Sequence, residues 1–242
     1  MTMQPGTTRT VVTRSYALIA PDGHVLSALP GWNNCRAVVL ISAAMGARFS
    51  QYLITLDEEG RGEGETGPDE WFFYIVEGAA RVNGESLAQG GYAYVPPRAQ
   101  YSIRSVRHPT TMIAFRKPYE SLAGQAAPAL FTGREQEQAE SPLIDDTRVR
   151  LKTLISDTPS ADMAVNILTY DPGATLPFVE THVMEHGMLF LAGGGVYRLD
   201  SDWHAVTSGD AIWIAPYCAQ WFIAAGPAPA RYIYYKDINR LP

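Results

Sequence analysis

The chain has 242 residues, 46% hydrophobic and only 18% charged, a balance that supplies a packed core and excludes a largely disordered protein. The formal net charge is -6 and no Lys/Arg run occurs, which argues against nucleic acid as a partner. The longest largely apolar stretch, Ala37 to Ala47, falls short of the roughly 20 residues that a membrane-spanning helix needs, so no membrane partner is expected.

The opening residues, Met-Thr-Met-Gln-Pro-Gly, have no basic region followed by an apolar one, so no signal peptide is expected. Two cysteines, Cys35 and Cys218, make no disulfide framework, and a cytoplasmic location is expected. Aromatic and β-branched runs follow along the chain at Ala37–Ser42, Ser50–Leu56, Glu70–Val76, Tyr92–Val95 and Thr111–Arg116. They resume at Ala164–Tyr170, His186–Leu191, Ala211–Ile214 and Tyr232–Tyr235. Short runs of this composition, bounded by Gly, Pro, Asn and Asp, predict strands, and their spacing predicts an all-β sandwich or barrel. Phe131–Arg150 is polar, carries Glu135, Glu137 and Glu140, and follows an Ala/Gly/Pro stretch, so it reads as a connection between two halves.

The halves resemble each other. Glu70–Gly78 matches His186–Gly194 as an apolar strand closed by glycine, and Gly90–Pro97 matches Gly209–Pro216 as a Gly-led strand ending in proline. The same order in both halves points to an internal duplication.

The segment Glu180-Thr-His182-Val-Met184-Glu-His186 carries the clearest chemical signal. Along an extended strand, side chains alternate, so Glu180, His182, Met184 and His186 would share one face. A carboxylate and two neutral imidazoles make an open site for a divalent metal. Met184, Met188 and Phe190 would line it. Tyr232, Tyr234 and Lys236 likewise share a face if the last strand is extended, and Lys236 would then offer a cation for a substrate carboxylate. Cys218 would face the same way as Gln220, near the site, as a buried thiol with no neighbour to activate it. In the first half, His24 and His108 lie outside the ligand-bearing strand, and Glu65, Glu70 and Gln100 make a poor metal site.

The pattern resembles the cupin family, whose first motif runs from a glycine through His-x-His to a glutamate and a closing glycine. Gly173 begins it here, Glu180 stands at the first histidine, His182 at the second, His186 at the glutamate, and Gly193 closes it. In the second motif, opened by Gly209, Gln220 stands where a histidine is usual. This permuted set resembles the ureidoglycine aminohydrolase family of bicupins, through Glu180 to Gly187, Tyr197 to Leu199, Gly209 to Trp213, Pro216 to Trp221 and Tyr235 to Arg240.

The resemblance implies two tandem double-stranded β-helix (jelly-roll) barrels. Residues 1-125 would form an N-terminal barrel without metal, 126-150 a linker and 151-242 the metal-binding C-terminal barrel. It implies four metal ligands, Glu180, His182, His186 and Gln220, with manganese as the metal, other divalent first-row ions being alternatives. It places substrate at Tyr197, Tyr232, Lys236 and Gln220, with Lys236 and Tyr232 catalytic. The implied partner is a small ureido compound that loses ammonia, and the implied assembly is a homo-oligomer. Two other readings share the ligand set or the fold: a non-haem iron(II) dioxygenase, and a bicupin that binds a small ligand without catalysis.

Overall fold

Several of the expected strands are apolar at nearly every position, because they are buried on both faces. In the strand His186–Ala192, Met188 and Phe190 enter one core and Leu189 another; in Ala230–Asp237, Tyr232 points one way while Ile233 and Tyr235 point the other. The computed structural model describes residues 8–240, so the opening residues read for a signal peptide lie outside it. Among the described residues no helix is long and apolar enough to cross a membrane.

One eight-stranded antiparallel sheet runs in the order Val11–Val12, Tyr16–Ile19, Ala211–Ile214, His186–Ala192, Ala230–Asp237, Met163–Tyr170, Asp146–Thr153 and Glu140–Leu143. Its inner face closes against a three-stranded sheet of Asp202–Thr207, Gly194–Leu199 and Gln220–Ala224, around a core that includes Tyr170, Phe190, Tyr197, Phe222 and Tyr232. A second eight-stranded sheet makes the N-terminal barrel, with Trp71, Phe73, Ile75, Tyr101 and Met112 inside. The expected all-β fold of two tandem jelly-roll barrels is therefore observed, and each of the nine expected runs lies in a strand, apart from a frayed end at Ser42.

The outward faces of the two large sheets pack on each other. Phe49, Phe72, Tyr74 and Phe115 from one barrel meet Ile167, Leu189, Trp213 and Tyr235 from the other in a single buried cluster. Phe49 and Tyr235 stack with ring centroids 4.1 Å apart, an arrangement worth about 0.5–1.5 kcal/mol beyond the area it buries.

The connection differs from its reading as a polar linker. Phe131–Arg134 pairs with Gly91–Val95 at the edge of the first barrel, while Glu140–Leu143 and Asp146–Thr153 extend the sheet of the second. Each of these strands is half exposed, so polar residues alternate with apolar ones and the segment reads as polar overall. The first half also gives a strand away: Tyr16–Ile19 pairs with Ala211–Ile214 in the C-terminal barrel.

A buried acidic pair sits where the barrels meet. Tyr94 donates to Glu70 Oε2 at 2.6 Å and Lys117 donates to Asp162 Oδ2 at 2.5 Å. Glu70 Oε1 and Asp162 Oδ1 are both buried without a hydrogen-bond partner, and a proton on the Glu70 carboxyl directed at Asp162 would satisfy both. Burial and the adjacent Asp162 push the Glu70 carboxyl well above the usual range. A carboxyl so raised stabilises the fold at pH below its ordinary value, and that contribution is lost as pH rises towards the folded value. The amide of Glu70→Gln donates permanently to Asp162, so this variant is expected to melt about 2–4 °C higher than the parent in mildly alkaline buffer. Thermal melts at acidic and alkaline pH check it; an equal loss at both would refute the shared proton.

Candidate metal centre

Between Tyr170 and His186 the chain forms no long strand, contrary to the extended segment expected there. It is instead clipped to the end of Gln220–Ala224 by isolated bridges, Thr175 to Ile223 and Glu180 to Gln220. Glu180 N–H donates to the Gln220 carbonyl at 2.8 Å and Gln220 N–H returns a bond to the Glu180 carbonyl at 2.9 Å. Directly paired residues project to one face, so both side chains enter the barrel together. His182 lies in the following loop, its carbonyl accepting from Tyr217 N–H at 2.7 Å. His186 begins its strand paired with Lys236, Met188 pairs with Tyr234, and Phe190 with Tyr232. The grouping inferred from alternation thus arises from folding over a neighbouring strand rather than from one extended strand. Proline at position 177 and the turn after Tyr170 keep that segment from pairing continuously.

The two imidazoles have matched environments. His182 Nδ1 lies 3.1 Å from the Met184 carbonyl and His186 Nδ1 lies 3.3 Å from the Tyr235 carbonyl. A carbonyl only accepts, so each Nδ1 carries a proton, and a neutral ring in this orientation presents its lone pair at Nε2. The two Nε2 atoms are 3.1 Å apart, with Gln220 Nε2 3.1 Å from that of His182 and a Glu180 oxygen 3.9 Å from it. Burial, and then the neighbouring His182, pull His186 down to about 3, so it is neutral at ordinary pH. Burial raises Glu180, and His182 and Lys236 partly offset this.

These groups occupy one end of a cavity of about 230 Å³. Tyr197, Tyr232, Tyr234 and Lys236 line it, and Leu143, Leu151, Leu168 and Leu176 form apolar wall. Tyr197 donates to Gln220 Oε1 at 2.8 Å, and the hydroxyls of Tyr170 and Tyr232 lie 2.9 Å apart. Burial pushes the phenols of Tyr197, Tyr232 and Tyr234 up, so all three are protonated at neutral pH. Lys236 forms no ion pair among the described residues.

Glu180, His182, His186, Gln220, Tyr197, Tyr232 and Lys236 therefore meet, and Met184 and Met188 line the cavity as expected, while Phe190 lies deeper in the core. Cys218 does not line it: the turn from Ala215 to Cys218 breaks the alternation, and the thiol is buried beside Tyr16, where burial raises it. Neither Leu143 nor Leu151 is among the expected site residues: Leu143 lies in the expected linker and Leu151 just beyond its end. The alternation Arg148, Val149, Arg150, Leu151, Lys152 was the available signal. In the N-terminal barrel the corresponding interior is occupied by stacked rings, Tyr52 on Trp71 at 5.7 Å and Trp71 on Phe73 at 5.3 Å. Glu65 and Gln100 meet at 3.5 Å in an exposed pair, and Glu70 faces the other barrel. His24, His108 and these three residues do not come together.

No protein-family model matches the chain. It is 36% identical over 245 residues to an (S)-ureidoglycine aminohydrolase from Arabidopsis thaliana, covering 98% of this chain and 80% of that one. It is 35% identical over 236 residues to the (S)-ureidoglycine aminohydrolase of Escherichia coli, covering 93% and 89%. Among solved structures, protein Ylba from E. coli superposes with a TM-score of 0.85 at 33% identity, over 97% of this chain and 96% of that one. Oxalate decarboxylase from Bacillus subtilis, at 13% identity and a TM-score of 0.70 over 98% of this chain and 80% of that one, shares the fold alone. On these near full-length similarities, the chain belongs to the (S)-ureidoglycine aminohydrolase family, within the cupins.

Proposed function

We propose that this protein is a metal-dependent hydrolase that releases ammonia from (S)-ureidoglycine and yields (S)-ureidoglycolate, in the breakdown of purines through allantoin. The observation that carries the metal dependence is the convergence of the His182 and His186 Nε2 atoms, 3.1 Å apart, with the Glu180 carboxylate and the Gln220 amide. Two imidazole nitrogens, a carboxylate and an amide gathered at one point are a donor set suited to a divalent cation. Glu180, His182, His186 and Gln220 would hold the metal. As a ligand Gln220 would present Oε1 with its amide reversed, and Nε2 would then donate to the Tyr197 hydroxyl oxygen. One carboxylate, one amide oxygen and two imidazoles make a mixed oxygen and nitrogen set that favours manganese or iron(II) over copper. When bound, such an ion supplies positive charge that orients the substrate and polarises its reacting group.

The rest of the cavity fits the substrate. Lys236, which forms no ion pair among the described residues, receives the substrate carboxylate, and Tyr197 and Tyr232 offer phenol donors to the ureido group. The leaving amine must gain a proton, and Tyr232, kept protonated by burial, and Lys236 are the donors on hand. As the C–N bond breaks, the ureido nitrogen's lone pair closes a C=N bond and its N–H proton is given up, replacing the one spent on the departing ammonia. Water then adds its oxygen to that carbon while the nitrogen regains a proton, and the hydroxyl product results. The leucine walls limit bulk water around the imine.

The test is ammonia release from freshly generated (S)-ureidoglycine, using protein stripped of metal and then reloaded with manganese. Release above the spontaneous rate is expected only after reloading. Equal release by stripped and reloaded protein would refute metal dependence. None from fully loaded protein would refute the substrate. An oxygen requirement would favour the dioxygenase alternative.

A further inference from the structure

The residues beside the candidate ligands face away from the cavity, towards the N-terminal barrel. Glu185 precedes His186, and Asp237 follows Lys236 on the paired strand. The Glu185 N–H donates to Asp237 Oδ1 at 2.6 Å, tying the two strand ends together. Glu185 is wholly buried, and its carboxylate accepts from Arg48 N–H at 3.0 Å and from Trp213 Nε1 at 3.2 Å. The Arg48 guanidinium lies across both acids, its Nε 3.4 Å from Glu185 Oε1 and its terminal nitrogen on Asp237. No other cation pairs with either carboxylate among the described residues.

Arg48 belongs to the other barrel, and its neighbours brace the same strand. Gln51 donates to the Met188 carbonyl at 3.0 Å. A Cβ on Gly187 would come within 2.3 Å of the Phe49 ring, so this close approach requires glycine after His186.

We propose that Arg48 is a positioning residue, through which the N-terminal barrel holds His186 and Lys236 in register by way of Glu185 and Asp237. Two buried carboxylates this close repel each other, and one guanidinium in a fixed planar fork neutralises and orients both. Without it the strand ends that carry His186 and Lys236 separate. The N-terminal barrel, whose own interior is filled with stacked rings, thereby has a task in the chemistry of its partner. This rests on the metal reading of the site proposed above.

The dissociation constant for manganese, measured on the full chain by competition with a chelator, tests it. Arg48→Gln is expected to weaken binding roughly 10- to 100-fold, as loss of partners behind metal ligands does, and Arg48→Lys by an intermediate factor, since it keeps the charge but loses the fork. Arg9→Gln is the control: it breaks the Arg9–Asp210 pair, at 2.7 Å, and should lower the melting temperature while leaving the constant unchanged. A folded Arg48→Gln protein with the parent's constant would overturn the positioning role. Should that variant not fold, an unchanged constant in Arg48→Lys would do the same. If the parent binds no manganese at all, the metal reading itself falls.

Discussion

Replacing His186 with alanine is expected to leave the protein folded, free of metal after gel filtration, and at least about 100-fold slower in releasing ammonia. The side chain is 5% exposed and starts a strand whose register is held on both sides, by Ala211–Ile214 and by Ala230–Asp237. Truncation therefore removes a donor without disturbing the ladder. Three of the proposed ligands remain, Glu180, His182 and Gln220. Only Glu180 carries charge, and burial raises its proton affinity, which competes with the metal. The loss should exceed the 10- to 100-fold typical of residues that merely support ligands. The alanine variant also frees the Tyr235 carbonyl from its 3.3 Å contact with Nδ1, at a cost of about 1–3 kcal/mol if water cannot reach it. Relief of the repulsion between the two Nε2 atoms opposes that cost, so the metal-free variant should melt close to the metal-free parent. Elemental analysis and the ammonia assay decide the matter. Stoichiometric metal with the parent's turnover would remove His186 from the site.

Lys236→Met is expected to separate substrate binding from metal binding. The methionine keeps most of the stem and removes the charge, while His186, its cross-strand neighbour, is untouched. A charge-assisted bond from Lys236 to the substrate carboxylate is worth about 1.5–3 kcal/mol, so with Tyr232 as the proton donor kcat/KM should fall roughly 10- to 100-fold, chiefly through KM, whereas a matching fall in kcat would make Lys236 the donor. Metal content should stay at the parent's level, because the variant removes a positive charge rather than a ligand. Removing that charge also takes away one of the influences that lower the Glu180 pKa, so metal loss in acid should begin at a higher pH than in the parent. An unchanged KM would place the substrate carboxylate elsewhere in the cavity.

How much of this was legible beforehand differs by residue. Chemical type points to Glu180, His182 and His186, the family resemblance adds Gln220, and all four converge on one cavity with Tyr197, Tyr232 and Lys236. The stated reason for three of them was nevertheless incorrect, because the chain from Glu180 to His186 is not one strand. Their convergence survives because Glu180 bridges to Gln220 and His186 pairs with Lys236 across separate ladders. Cys218 shows the opposite outcome: the same alternation placed it near the site, and a turn at Tyr217 sends it to the core beside Tyr16.

From the sequence came the all-β class, the duplicated barrel and the grouping of one carboxylate with two imidazoles, since side-chain type, strand period and motif spacing are local properties, while Gln220 and the substrate residues came from the family resemblance. The tertiary structure alone decided that Leu143 and Leu151 wall the cavity, that Tyr16–Ile19 completes the sheet of the other barrel, and that Arg48 reaches Glu185 and Asp237. Each of these depends on which strands pair and which faces meet across large separations in the chain. A half-buried strand advertises its period but not its partner, and an arginine's sequence neighbours do not reveal which carboxylates it will neutralise.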